Sequence, residues 1–238
     1  MRRVEQIMGL PVSLDVPAAT SAVDLEPAFA EMRLADARFS PFRPNSELSR
    51  YNRGEIADTD LSADFASVQA ACQQWQQATG GYFSAYYGSA FDPSGYVKGW
   101  AIGRASAALD QAGWHDYLIN AGGDILAASQ SDQTWTVGLQ HPLMKRKLMG
   151  SLNLRNGAVA TSGTYARGQH IVNPLTGKAA VQFVSVTVVG PRVEIADVYA
   201  TAVLAGGRQA WQRDWGEYAV LAIEQDGSAH TNAAWQAL

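Results

Sequence analysis

The chain has 238 residues, of which 47% are hydrophobic and 17% charged, and its formal net charge is −4. This composition is typical of a globular protein long enough to bury a core. The negative charge argues against a general nucleic-acid binder, and a single cysteine excludes an intramolecular disulfide. No apolar run is long enough for a membrane span or a signal peptide, so we expect a cytoplasmic chain. The one basic run, Lys145 to Lys147, is interpreted as a solvated loop.

The first third of the chain predicts one strand and two helices. Alternating apolar residues indicate a strand from Met8 to Val16. Asp24 is expected to cap a helix over Leu25 to Arg38, and a loop rich in turn residues follows from Phe39 to Asn52. Ser62 is expected to cap a second helix that ends near Thr79, before two glycines.

The rest of the chain predicts more strands than helices. Helices are expected over Tyr96 to Ala112 and Val193 to Leu204. Strands are expected at Tyr82–Tyr86, Tyr117–Asn120, Thr134–Leu139, Lys147–Leu154 and Phe183–Val189, with a closing hairpin formed by Tyr218–Glu224 and Ala229–Asn232. Neighbouring strands of this kind favour an α+β fold, mostly antiparallel sheet with packed helices. No repeat or linker interrupts the chain, so residues 1–238 are expected to form a single domain, in one or two lobes.

Two polar clusters in the C-terminal half suggest a site for phosphate and a metal ion. Asp197 and Thr201 are four residues apart in a predicted helix, so they share one face and offer hard oxygen ligands of the kind that Mg²⁺ prefers. The alternative is an acidic residue near a helix start and a packed threonine. Thr161-Ser162-Gly163 offers hydroxyls and a backbone N–H to phosphate, or forms an ordinary turn.

Two earlier segments also carry ligand-binding potential. Asp92 to Gly99 spans a predicted helix start, where free N–H groups suit an anion. Lys98 is unfavourable near a helix N-terminus unless it holds phosphate or pairs with Asp92; the alternative is a surface lysine. Asn120 to Asp124 contains two glycines that allow close approach to a ligand, or it forms a plain turn between strands.

His170 is the candidate acid–base residue. It precedes an Asn173-Pro174 turn in a polar neighbourhood, where an imidazole can act as a general base or contact phosphate. No Cys or His spacing in the chain suggests a zinc site.

In this order, the segments resemble those of the ApbE family, the FAD:protein FMN transferases. The matching segments are Met8-Gly9, Ser46–Asn52, Asp92–Gly99, Asn120–Asp124, Ala160–Tyr165, His170–Gly177 and Ala196–Thr201. The resemblance implies an α+β fold related to the T-fold, with FAD as substrate and Mg²⁺ as the metal. It also implies cleavage of the FAD pyrophosphate, attachment of FMN through a phosphodiester to a Ser or Thr of an acceptor flavoprotein, and release of AMP.

The resemblance assigns roles to individual residues. Mg²⁺ would be held by Asp197, Thr201 and the backbone carbonyl of Gly95. His170, Lys98 and Asp197 would be catalytic. The FAD-contacting residues would be Met8, Phe42, Tyr82, Phe83, Ser84, Asp92, Lys98, Thr161, Ser162, Gly163, His170 and Ile171. Phosphoryl transfer depends on charge neutralisation and positioning, and this set can supply both.

The chain departs from the family pattern in the segment before Asp92. The family usually has a Phe-Asp pair and then a longer stretch before the Asp92-type motif. Here Phe83 is followed by Ser84, and only seven residues separate Ser84 from Asp92. Gly103 also stands where an Asp is common. The chain is therefore interpreted as a short form, and two alternatives stay open: an FAD pyrophosphatase that releases FMN and AMP, and a non-catalytic FAD-binding protein. The acceptor is not identified, and a homodimer that supplies what the short lobe lacks is left open.

Overall fold

The computed structural model describes residues 1–17, 25–88, 90–144, 146–164 and 171–238. The strands are β1 Arg2–Ile7, β2 Leu10–Asp15, β3 Tyr86–Tyr87, β4 Ala90–Phe91, β5 Tyr117–Ala121, β6 Asp124–Ala128, β7 Trp135–Gln140, β8 Leu148–Leu154, β9 Gly157–Gly163, β10 Phe183–Gly190, β11 Ala219–Glu224 and β12 Ala229–Thr231. The helices are α1 Glu26–Phe39, α2 Glu47–Asn52, α3 Ala63–Ala78, α4 Ser94–Gln111, α5 Val193–Trp211 and α6 Ala233–Gln236, with a 3₁₀ turn at Asp58–Asp60.

One large antiparallel sheet organises the fold. Its eight strands follow the order β1-β2-β5-β6-β9-β10-β11-β12, and every neighbouring pair is antiparallel. Two separate two-stranded hairpins are formed by β3–β4 and by β7–β8. The expected α+β class with mostly antiparallel sheet and packed helices is therefore confirmed.

The two faces of the large sheet are covered differently. In β5, Tyr117 and Ile119 belong to a buried cluster with α1 and α4, whereas Leu118 belongs to a cluster on the opposite face. This alternation is the period of two expected for a strand buried on both sides. Helices α1, α4 and α5 pack on the first face, while the β7–β8 hairpin and the C-terminal Trp235 pack on the second.

The contact between α4 and α5 is unusually close at one glycine. A Cβ placed on Gly99 would lie 2.5 Å from Cα of Glu194 and 2.9 Å from its backbone nitrogen. Since no real Cβ tolerates that distance from backbone, only glycine allows the two helices to meet here. This contact brings the residue beside it, Lys98, to the first turns of α5.

Several local predictions are correct. Ser62 caps α3, because its Oγ accepts a hydrogen bond from the backbone N–H of Phe65. Gly122 and Gly123 form the two-residue turn between β5 and β6, with φ angles of 61° and 104°. Cys72 is buried, and its burial raises the pKa of the thiol to about 12.

Other local predictions are wrong for identifiable reasons. The expected loop before Asn52 contains helix α2, which is capped by Ser46. Strand β1 was not expected, because it is an edge strand whose charged residues hide its alternation. The strand expected over Tyr82–Tyr86 is confined to β3, because the segment after Gly81 turns back with the Phe83 N–H bonded to the Thr79 hydroxyl.

Two more corrections concern the C-terminal half. Thr161-Ser162-Gly163 is the end of strand β9 and not a turn, because β10 pairs with all three residues. Helix α5 was expected to end before Gly206, but it continues to Trp211 across a kink at Gly207. Asp24, the expected cap of α1, lies outside the described residues; Leu25 occupies the cap position of that helix.

The glycine contact yields a stability prediction. Gly99→Ala should lower the free energy of unfolding by about 1–3 kcal/mol, because the new methyl group would collide with the α5 backbone. Gly103→Ala is the matched control on the same helix, where the nearest atom to an added Cβ is 3.8 Å away. That change should raise stability by up to about 1 kcal/mol. Urea unfolding of both variants measures the difference, and equal effects would contradict the role assigned to Gly99.

Candidate active site

Lys98 lies beside two buried carboxylates. Its Nζ is 2.5 Å from Oδ2 of Asp124 and 3.8 Å from Oδ1 of Asp197. The two aspartates are only 1% and 3% exposed. Buried charges are stable only when they are paired, so one ammonium group here partly compensates two acids.

Three different elements supply this cluster. Lys98 comes from α4, Asp197 from α5, and Asp124 opens β6 after the two-glycine turn. The backbone N–H of Thr161 in β9 donates to Oδ1 of Asp124 at 3.1 Å, which fixes the carboxylate against the sheet. Of the roles considered for Lys98, a surface lysine is excluded by these contacts, and its charged partners are Asp124 and Asp197. Asp92 accepts from the Ser94 N–H at 3.0 Å and stabilises the start of α4.

The residues expected to hold a metal are neighbours. A Cβ on Gly95 would lie 3.6 Å from Oγ1 of Thr201, so α4 and α5 also approach each other here. The Thr201 hydroxyl lies 3.1 Å from Oγ of Ser162. Asp197 precedes Thr201 by one helical turn and shares its face.

The electrostatics of Asp197 suit a bound cation. Removal from water raises the pKa of this carboxyl above its ordinary value; the nearby Lys98 opposes the shift, and the like charge of Asp124 adds to it. Its Oδ2 is buried and has no hydrogen-bond partner among the described residues. A carboxylate oxygen left unsatisfied in this way is costly, and a metal ion would satisfy it.

The donor set fits Mg²⁺ better than zinc. Within the described part of the chain, no three His, Cys, Asp or Glu side chains cluster as ligands. Mg²⁺ does not need such a cluster, because it is usually held by one or two carboxylates with waters and substrate phosphates. The ligands that the resemblance implies, Asp197, the Thr201 hydroxyl and the Gly95 carbonyl, are oxygen donors of that kind.

The expected FAD-contacting residues differ in burial and in local contacts. Phe83 is buried and its ring touches the Gly95 position, whereas Tyr82 packs against Gly206 of α5. The Ser84 hydroxyl is used locally, since it bonds to the Tyr86 backbone. Met8 occupies the turn between β1 and β2 with a φ of 55° and packs on both core clusters of the helical face.

Phe42 stands apart from the other aromatic residues. It follows α1, and 92% of its surface is exposed. Single exposed apolar side chains are common on protein surfaces, so this exposure by itself does not indicate a ligand contact.

The β9 residues divide between the two faces of the sheet. Ser162 reaches α5 through Thr201, but the Thr161 hydroxyl bonds to Thr187 at 2.9 Å. Thr161 therefore joins the charged cluster through its backbone N–H rather than through its side chain. Gly163 ends the strand.

His170 lies outside the described residues, and Ile171 begins the next described segment, where it is half-buried against the core. The turn that follows is stabilised by the Asn173 side chain, which accepts from the Leu175 N–H at 2.9 Å.

Asp124 is the site residue that the sequence did not single out. Its position directly after two glycines at the end of an apolar strand was the available signal. Its carboxylate makes the shortest charged contact to Lys98, so it belongs with the core of the site.

The raised pKa of Asp197 predicts that its replacement by Asn stabilises the folded protein, whereas the same change at Asp116, whose pKa is lowered, destabilises it. Between the unfolded and folded pKa values of Asp197, the folded protein holds a proton that the unfolded chain has lost, so this carboxyl destabilises the fold increasingly above about pH 4. Asp197→Asn should therefore raise the free energy of unfolding by roughly 1–3 kcal/mol near neutral pH, and by less in acid.

Asp116→Asn is the control. Hydrogen bonds from Ser129 and Ser131 lower the pKa of Asp116 to about 2, so its charge stabilises the folded state above about pH 4 and the contribution is lost towards pH 2. Its substitution should lower stability at neutral pH. Thermal melts across the pH range distinguish the two, and a loss of stability in both variants would refute the assignment for Asp197.

The ApbE family sequence profile matches residues 8–92 and 87–220. Proteins named FAD:protein FMN transferase from Rhodobacter capsulatus and Buchnera aphidicola are 34% and 33% identical over 150 and 125 residues, which are 58% and 48% of this chain. These alignments span only 28% and 37% of the two relatives. A Haemophilus influenzae protein of the same name is 22% identical over 79% of this chain and 74% of its own length.

Solved structures share the fold over the whole chain. Flavin Transferase ApbE from Vibrio cholerae superposes with a TM-score of 0.81 at 19% identity, covering 100% of this chain and 98% of that one. The ApbE protein from Thermotoga maritima gives a TM-score of 0.82 at 18% identity with the same coverage. The ApbE architecture implied by the resemblance is confirmed, and the chain belongs to the ApbE family.

Proposed function

We propose that this chain is a Mg²⁺-dependent FAD:protein FMN transferase. It would cleave FAD and attach FMN through a phosphodiester bond to a Ser or Thr of an acceptor flavoprotein, releasing AMP. The observation that carries the proposal is the buried Asp197 oxygen without a hydrogen-bond partner among the described residues, next to Lys98 and one turn from Thr201. The name of the relatives and the family membership support the same reaction.

The metal would be held by Asp197, the Thr201 hydroxyl and the carbonyl of Gly95. When bound there, Mg²⁺ neutralises phosphate charge and lowers the cost of phosphoryl transfer. The donor chemistry supports this assignment, because all three groups are hard oxygens.

Lys98 would act as the protein's own positive charge on the substrate phosphates. Its ammonium is partly buried, and in such surroundings a charge acts more strongly than in water. Asp124 holds the ammonium near the start of α5 before substrate arrives. Each phosphate oxygen that enters offers Lys98 another acceptor but also adds negative charge, which the bound cation would offset.

His170 would take the proton of the acceptor hydroxyl. The hydroxyl oxygen forms a bond to the FMN phosphorus, the pyrophosphate P–O bond breaks, and the electron pair leaves with AMP. The FAD itself would be contacted by the residues that the family resemblance assigns: Met8, Phe42, Tyr82, Phe83, Ser84, Asp92, Thr161, Ser162, Gly163 and Ile171.

Substitution of the metal-binding carboxylate tests the reaction. Asp197→Asn should lower the rate of FMN transfer by at least about 100-fold, while the protein stays folded, because a preorganised charge is lost at the phosphates. Asp132→Asn is a control at an aspartate whose side chain is 79% exposed, and it should change the rate little. The measurement is the mass increase of a candidate acceptor incubated with FAD and Mg²⁺.

Other outcomes of this assay support the alternatives. Release of FMN and AMP from FAD, with no acceptor modified, indicates a pyrophosphatase. FAD binding without any turnover indicates a binding protein, and a fully active Asp197→Asn variant refutes the proposed site.

The exposed ring of Phe42 allows a separate test of FAD binding. Phe42→Ala should leave stability within about 0.5 kcal/mol, because the ring is 92% exposed. It should weaken FAD binding by about fivefold or more if the ring stacks on the ligand. Leu34→Ala is a control at another exposed apolar residue, and an equal change in FAD affinity in both variants would contradict the contact.

A further inference from the structure

The charges of this chain are strongly segregated along the sequence. Residues 133–193 contain seven Lys and Arg and no Asp or Glu. The rest of the chain contains 11 Lys and Arg against 22 Asp and Glu. An acidic protein therefore carries one extended segment that is purely basic, and three of its cations are consecutive, at 145–147.

The structure places Arg146 and Lys147 of this run at the end of the β7–β8 hairpin, next to exposed apolar side chains. Leu143, Met144 and Leu148 are 49%, 43% and 65% exposed, and Arg146 and Lys147 are exposed beside them. We name these five residues the basic tip; Lys145 lies outside the described residues. Among the described residues, neither Arg146 nor Lys147 forms an ion pair.

The basic tip has a defined backbone. The His141 N–H donates to the Lys147 carbonyl at 2.9 Å, and the Lys147 N–H donates to the Met144 carbonyl at 2.9 Å. The His141 ring accepts from the Leu143 N–H at 3.1 Å. The side chain of Leu148 lies over Gly138 of the paired strand, since a Cβ added to Gly138 would be 3.0 Å from Cδ1 of Leu148. These bonds fix the backbone of Leu143, Met144 and Lys147 on either side of the tip.

We propose that the basic tip binds the surface of an anionic lipid bilayer. Leucine and methionine side chains enter the interface between headgroups and acyl chains, and Arg146 and Lys147 contact the lipid phosphates. Apolar side chains beside Lys and Arg are the composition of segments that lie in membrane interfaces. A protein is a less suitable partner for the basic tip than a lipid surface, because Lys is depleted at protein interfaces and Leu is rare among the residues that contribute most to protein binding.

Charge also determines the orientation of the bound protein. With a net charge of −4, the chain as a whole is repelled by an anionic surface, so attraction requires a local excess of cations such as that of the basic tip. The expected binding is weak and reversible, with a partition constant on the order of 10⁴ M⁻¹, similar to that of a single acyl chain.

Vesicle co-sedimentation tests the proposal with the full chain. Vesicles of phosphatidylcholine mixed with phosphatidylglycerol should bind the protein at about 0.1 M salt at least tenfold more strongly than pure phosphatidylcholine vesicles. Binding should fall steeply towards about 1 M salt, because the Debye length shrinks from about 10 Å to about 3 Å. Equal binding to both vesicle types, or none to either, overturns the proposal.

Two matched pairs of variants locate the contact. Lys147→Glu should weaken binding by at least about fivefold, whereas Lys178→Glu makes the same charge change elsewhere and should have a smaller effect. Leu148→Ser should weaken it by about tenfold, and Leu34→Ser, at a residue that is 55% exposed on α1, should not. Thermal melts confirm that each variant is folded.

Equal effects within each pair contradict a contact at the basic tip. The vesicle assay needs neither FAD nor an acceptor, so its result is independent of the proposed function. If the wild-type protein does not bind vesicles, and Lys147→Glu lowers FMN transfer whereas Lys178→Glu does not, the basic tip contacts the acceptor protein and the lipid proposal is wrong.

Discussion

The close contact between α4 and α5 at Gly99 determines the geometry of the site. Because no side chain separates the two backbones, Lys98 on one helix reaches Asp197 on the other, and Gly95 and Thr201 meet one turn further along. The sheet adds Asp124 and the Thr161 N–H to the same cluster. A site made from two helices and two strands thus depends on the absence of one methyl group.

The cluster that this contact creates is costly for the fold. Two buried acids face one lysine, and Oδ2 of Asp197 has no hydrogen-bond partner among the described residues. Folding alone would favour an amide or an apolar residue at Asp197, as it does at most buried positions. The arrangement is reasonable for a protein that receives positive and negative charge together, as a metal ion and a phosphate ligand.

The sequence allowed the antiparallel α+β class, most helices and the shared face of Asp197 and Thr201 to be predicted, because these follow from local periodicity and capping. It did not reveal the Lys98–Asp124 pair, which depends on the register between β5 and β6 and on the approach of α4 to the sheet. Thr161-Ser162-Gly163 favours a turn by local preference, yet pairing with β10 holds these residues in a strand. Strand β1 was missed because an edge strand needs no clean alternation.

The location of Ser162 in β9 has a consequence for how this site can change over evolutionary time. The strand lies inside the sheet between β6 and β10, so its backbone cannot shift without breaking hydrogen bonds on two sides. Substitutions here must be accommodated by side-chain volume alone. Differences in ligand or acceptor preference are therefore expected to arise in loops and exposed residues around the sheet, while the backbone of the strand stays the same.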